Sequence, residues 1–191
     1  MKKHLITLIL LLVAFSVFSQ DRESMEKRAG EMYNSIADGN FDQLMDYTYS
    51  KLFEIAPRDI ILKSFKQMLE GNEEFKIKII NIPPNFTFGE IKKIDEGWYS
   101  LIKHDLKMEM IFTEKIESDE KELMIDIFKE TMETESVSFN DETNTMTITK
   151  KSTMIAIFDS YTNKQWSFIN KSKSPLMEKL FSKEVRKELN L

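Results

Sequence analysis

The sequence predicts an α+β fold: N-terminal helices packed on a curved, mainly antiparallel sheet, with one helix inserted late and another closing the chain. Three observations predict it. Apolar residues recur at helical spacing through residues 21–71. The period then drops from about 3.6 to 2 at Phe75. Finally, residues 97–113 alternate throughout, with Trp98, Ile102, His104, Leu106, Met108, Met110 and Phe112 on one side and Lys103, Asp105, Lys107 and Glu109 on the other. A strand of about seventeen residues far exceeds the usual five or six. It must twist or bend, so the sheet is expected to curve around the helices with one face of this strand buried.

Taken in order, residues 21–37 read as a helix with Met25, Ala29, Met32, Tyr33 and Ile36 on its buried stripe. Asp38-Gly39-Asn40 stops it, glycine supplying a left-handed cap. Residues 42–50 form a shorter helix with Leu44, Met45 and Tyr47 toward the core. Pro57 suits the first turn of a third helix, where its missing N–H costs nothing. Ile60, Ile61, Ser64, Phe65, Met68 and Leu69 form the expected buried stripe of that helix, and Gly71 ends it. Phe75, Ile77 and Ile79 alternate with lysines in a first strand, which Pro83-Pro84 breaks. A weaker strand at 86–94 turns through Asp95-Glu96-Gly97 into the long strand. Residues 118–135 are helical, with Leu123, Met124, Ile127, Phe128 and Met132 on the stripe and Asp119 and Glu122 spaced as a capping box. A short strand at 137–139 and a turn at 140–144 lead into a second long strand, 145–158. Its last five residues are apolar on both faces, which predicts a central position. Residues 165–170 return as a strand carrying Trp166 and Phe168, and Pro175 opens a closing helix reset at Ser182.

The chain starts with Lys2 and Lys3, an apolar run from Leu5 to Phe18 and small residues at Val17 and Ser19. This is the pattern of a secretory signal peptide over 1–19, cleaved before Gln20. The run is shorter than the ~20 residues that span a bilayer, so no stable membrane insertion is expected once the leader is gone. The expected location is the periplasm or the external medium. There is no cysteine, hence no disulfide, no thiol catalysis and no lipid-modified cysteine. Residues 20–191 suffice for one domain with a proper core. With Lys2 and Lys3 removed, 25 basic residues face 32 acidic ones, a net charge of −7. That balance argues against nucleic acid and anionic lipid as partners.

The order of two or three helices followed by long bent antiparallel strands resembles the cone-shaped fold of the nuclear transport factor 2-like superfamily. The local stretches YNSIADGNFDQLMDYTYSKL (33–52), WSFI (166–169) and LFSKEV (180–185) resemble small exported bacterial proteins of that type with no assigned function. The superfamily includes ketosteroid isomerases, polyketide cyclases and many non-catalytic domains. The resemblance implies a pocket between the helices and the sheet.

His104 is the one histidine after the leader, and strand parity puts it on the apolar face. It reads either as an acid, base or anchor in a pocket or as a core histidine with a backbone partner. Asp105 cannot orient it, because strand neighbours point to opposite faces. Met108 and Met110 share a face, but His104 lies roughly 13 Å from Met108 along a strand, too far to share one copper ion. Isomerase or cyclase chemistry needs a carboxylate base facing an oxyanion-holding tyrosine. Tyr33 and Tyr47 could line such a site, yet Asp105 and Glu109 fall on the polar face. No cofactor or metal is expected. The expected function is a non-catalytic exported domain binding a small apolar ligand or a protein partner. The expected pocket lining is Tyr33, Phe65, Trp98, His104 and Met108. An isomerase-type enzyme and a structural module, with a homodimer through the sheet, are the alternatives.

Overall fold

The computed structural model describes residues 22–191. The leader and the cleavage point expected before Gln20 lie outside them. The fold is α+β, with N-terminal helices, an antiparallel sheet of seven strands that is curved but not closed, and C-terminal helices. Among the described residues no helix is long and apolar enough to cross a membrane.

Helix α1 occupies 22–37 and buries Met25, Ala29 and Tyr33, with Met32 and Ile36 half-buried. Gly39, at φ +67°, ends it. Asn40 caps α2 (Phe41–Tyr47), its side chain accepting from the Gln43 N–H at 3.2 Å. This helix stops short of the expected Ser50, because Thr48 turns extended and bridges to Phe168. A 3-10 turn, Ser50–Glu54, follows. Helix α3 (Arg58–Glu70) has Pro57 at its N-cap, one place before the expected first turn. Gly71 closes α3 at φ +75°, where a Cβ would lie 1.9 Å from the Phe75 carbonyl oxygen, so only glycine fits.

The buried stripe of α3 differs from expectation. Ile60 and Met68 are 50% and 47% exposed and Ser64 faces solvent, while Ile61, Leu62, Phe65 and Leu69 are half-buried. Apolar residues surround more than half of this helix, so periodicity did not determine its rotation. The edge-on contact of Phe65 with Phe41, at 5.2 Å, does.

Two long strands form the spine of the sheet. In chain order its strands are β1 (Phe75–Ile80), β2 (Thr87–Phe88), β3 (Lys92–Ile94), β4 (Gly97–Phe112), β5 (Val137–Asn140), β6 (Thr145–Phe158) and β7 (Ser167–Asn170). Strands β4 and β6 pair without interruption from Trp98↔Phe158 to Ile111↔Thr145. Strands β3, β2 and β1 follow one another along the free edge of β4. Strands β7 and β5 do the same along β6. The strand expected at 86–94 is two pieces. The register slips by one residue between Phe88↔Ile102 and Lys92↔Tyr99, so no single regular strand satisfies both pairings.

Helix α4 (Ser118–Met132) packs Met124, Ile125, Phe128 and Met132 toward the sheet. Leu123 and Ile127, expected in its stripe, are 62% and 50% exposed. Apolar residues flank the stripe on both sides, and the sheet selects the neighbouring row. The expected capping box is not formed: Glu117 takes the N-cap position and makes no side-chain bond there. Helices α5 (Pro175–Leu180) and α6 (Lys183–Leu189) close the chain. The Ser182 hydroxyl caps α6 by accepting from the Val185 N–H at 3.2 Å, and it donates to Asp95 at 2.7 Å, tying the helix to the β3–β4 turn.

The long strand was expected to bury one face. It buries both over its first third. Trp98 and Ile102 pack with Met154 and Ala156 under α1. Tyr99 and Leu101, on the other face, pack with Ile155 and Ile157 under α5 and α6. Farther along, Met110 and Phe112 pack with Met146 and Ile148 beneath α4. The N-terminal helices were expected to cover Trp98, His104 and Met108 together. Helix α1 serves the first two, while Met108 joins the cluster under α4.

Candidate functional site

Of the five residues expected to line a pocket, two meet. Tyr33 on α1 and His104 on β4 approach with ring centroids 6.4 Å apart at 76°, and Phe86 lies 5.9 Å from the first and 6.2 Å from the second. The Tyr33 hydroxyl donates to the Ile82 carbonyl at 2.9 Å. Burial raises the phenol's pKa above its ordinary value. The His104 Nδ1 lies 3.4 Å from the Asp105 carbonyl oxygen, and its Nε2 is buried without a hydrogen-bond partner among the described residues. Burial holds the imidazole below its usual pKa, with the Asp105 carbonyl and charge acting weakly the other way.

The other three lie elsewhere. Phe65 packs on Phe41, Trp98 stands beneath the Lys93 ammonium at 5.7 Å within the α1 cluster, and Met108 belongs to the α4 cluster. Asp105 points away from His104, as strand parity requires. Its carboxylate accepts from Asn85 at 2.8 Å and Lys151 at 3.1 Å, which hold it below the usual carboxylate range. Among the described residues the carboxylate whose charge acts on this imidazole and phenol is that of Asp105, from the opposite face.

The more open features are two clefts at the far end of the same sheet face. One lies between α3 and β1, has a volume of about 600 Å³ and is floored by Ile36, Phe41, Leu69, Ile77 and Ile79. Its mouth carries both signs of charge, from Lys66 and Glu70. The second lies between α4 and the β1–β4 ladder, with a volume of about 620 Å³. Its floor is Phe75, Met110 and Phe112, and its walls are Ile116, Met124 and Phe128. Its mouth is acidic only: Glu73, Glu74 and Glu114. The paired residues Ile77 and Met110 separate the two clefts. Neither cleft includes Tyr33, Phe65, Trp98, His104 or Met108. The sequence carried only a partial signal for them. The floor residues were legible as strand faces, but the helix rotations that leave the floors open were not.

A polar cluster at the opposite end was also missed. Tyr49 is 1% exposed, stacks on Phe181 at 5.8 Å and donates to Asp159 at 2.6 Å. Burial, then this carboxylate, drives its pKa far above the ordinary range. Tyr99 is pushed up to about 12, mainly by burial and then by the charges of Asp159 and Asp95. Both phenols stay protonated at any physiological pH, and that of Tyr49 serves as a structural donor in the core. Among the described residues no group of three or more His, Cys, Asp or Glu is placed to hold a metal ion. No protein-family model matches the chain, and no curated protein matches it.

Proposed function

We propose that the protein is an exported, non-catalytic binding domain that holds the apolar part of a small ligand on the open end of its sheet. We read its order of helices and long antiparallel strands as resembling the cone-shaped nuclear transport factor 2-like superfamily. The observation that carries this reading is the pair of apolar-floored clefts on either side of the Ile77–Met110 row. Each has the volume of an ordinary small-molecule site, roughly 300–1,000 Å³. The isomerase-type reading draws on the contact of Tyr33 with His104. It lacks the base, since Asp105 is turned to the opposite face and bound by Asn85 and Lys151.

Native mass spectrometry of the protein purified from its own host tests the reading. A retained small molecule, with a protein mass that begins at Gln20, is the expected result. A bare protein that no apolar compound stabilises in a thermal-shift panel would overturn the binding reading. A protein that keeps Met1 would overturn export.

A further inference from the structure

The two clefts have similar volumes and similar floors, but they differ in charge at the mouth. Around the α3 cleft Lys66 and Glu70 offset one another, and Lys66 also pairs with Asp42 at 3.7 Å. Around the α4 cleft Glu73, Glu74 and Glu114 are exposed, and none forms an ion pair among the described residues. On α4, Lys121 is bound to Asp141 and lies over the Phe139 ring at 5.2 Å. The α4 N-terminus would favour an anion, but Asp119 and Glu120 in its first turn already answer that dipole.

We infer that the α4 cleft takes a small cationic amphiphile, with its apolar body on Phe75, Met110 and Phe112 and its positive head among Glu73, Glu74 and Glu114. The inference rests on the binding reading above and adds the sign of the ligand's charge. Three like charges at the edge of an apolar surface repel one another, and a cation there relieves that repulsion. An anionic head would add a fourth negative charge. The volume of about 620 Å³ suits a small molecule rather than a docked helix.

The test is isothermal titration with dodecyltrimethylammonium, dodecyl maltoside and dodecyl sulfate, each kept below its micelle concentration. The expected result is that the cation binds about tenfold more tightly than the sulfate in low salt, a preference that shrinks as salt screens the exposed charges. The triple variant Glu73→Gln, Glu74→Gln, Glu114→Gln should lose that preference and keep its affinity for the maltoside. Met124→Arg, which places a cation in the cleft wall, should weaken the ammonium compound most. A cation preference that survives the triple variant overturns the inference. Equal affinity for all three compounds, lost in Met124→Arg, also overturns it while leaving the binding reading intact. Affinities that neither variant changes overturn the inference and move the binding reading to the α3 cleft. A cationic amphipathic peptide that binds a hundredfold more tightly than the alkylammonium would overturn the assignment to a small molecule.

Discussion

The two ends of the β4–β6 ladder are built from the same strands in one register, and they differ in what covers them. At the closed end, Tyr99 to Ile102 and Met154 to Ile157 are covered on both faces, by α1 on one and by α5 and α6 on the other. Ile155, Ala156 and Ile157 are completely buried. At the open end, only one face is covered. There α4 has no fully buried residue, and Ile111 on the bare face is 37% exposed. Strand pairing alone therefore does not make a core. The closed end is packed on both faces, and the open end keeps apolar surface that is only partly covered.

The sharpest way to break this comparison is to place the same charge at both ends of one face. Ile157 and Ile111 lie on the same side of the sheet. Ile157→Asp buries an unpaired carboxylate and is expected to cost several kcal/mol of a total of ~5–15 kcal/mol, enough to unfold much of the protein. Ile111→Asp should cost about 0.5 kcal/mol or less. Urea midpoints for the two variants decide it, and equal midpoints would remove the distinction. Next in size is Gly97→Ala. An added Cβ would meet the Tyr99 hydroxyl at 2.7 Å and its ring carbons at 2.8 and 2.9 Å. That ring is held by Phe181 at 6.3 Å and cannot retreat freely. We expect a loss of about 1–3 kcal/mol by thermal unfolding, as for overpacked cores. Tyr49→Phe removes the donor to Asp159 and should cost about 1–2 kcal/mol, again at the closed end. A change within error there would show that water replaces the phenol.

The smallest effect concerns the waist between the two ends, where His104 pairs with Ser152. Burial lowers the folded-state pKa of His104. The folded state therefore prefers the neutral ring, and the unfolded chain takes up the proton first. Stability is fully present above the unfolded pKa of about 6.5 and declines as pH falls through it toward the lower folded value. His104→Gln should flatten the dependence between pH 7 and pH 5. Asp105, whose pKa is lowered, titrates below this window. Parallel curves for the two proteins would mean that the ring is not desolvated as the structure has it.

Much of the ladder was legible in the sequence because strand parity is strict. Alternation along residues 102–112 and 145–149 assigned side chains to faces, though not the pairing of one strand with the other. The stops at Gly39 and Gly71 and the reset at Ser182 were legible for local reasons, namely positive φ and a capping hydroxyl. Helix rotation was not legible. Helices α3 and α4 carry apolar residues around too much of their circumference, so the choice of Phe65 and Leu69 over Met68, or of Ile125 over Leu123, came from packing partners distant in sequence. The expected pocket lining dispersed for the same reason. Parity correctly put Trp98, His104 and Met108 on one face, but different helices cover different lengths of it. Tyr49 and Asp159 lie 110 residues apart, and nothing local marks them as partners.

Residue-resolved amide hydrogen exchange along β4 and β6 tests most directly the claim that one ladder does two jobs. The prediction is a gradient. Amides of Tyr99 to Ile102 and Met154 to Ile157 should exchange only through global unfolding. Those of Met108 to Phe112 should open at lower free energy and slow when an apolar ligand is added. Uniform protection along both strands, or greater protection at the Met110 end without ligand, would contradict the account.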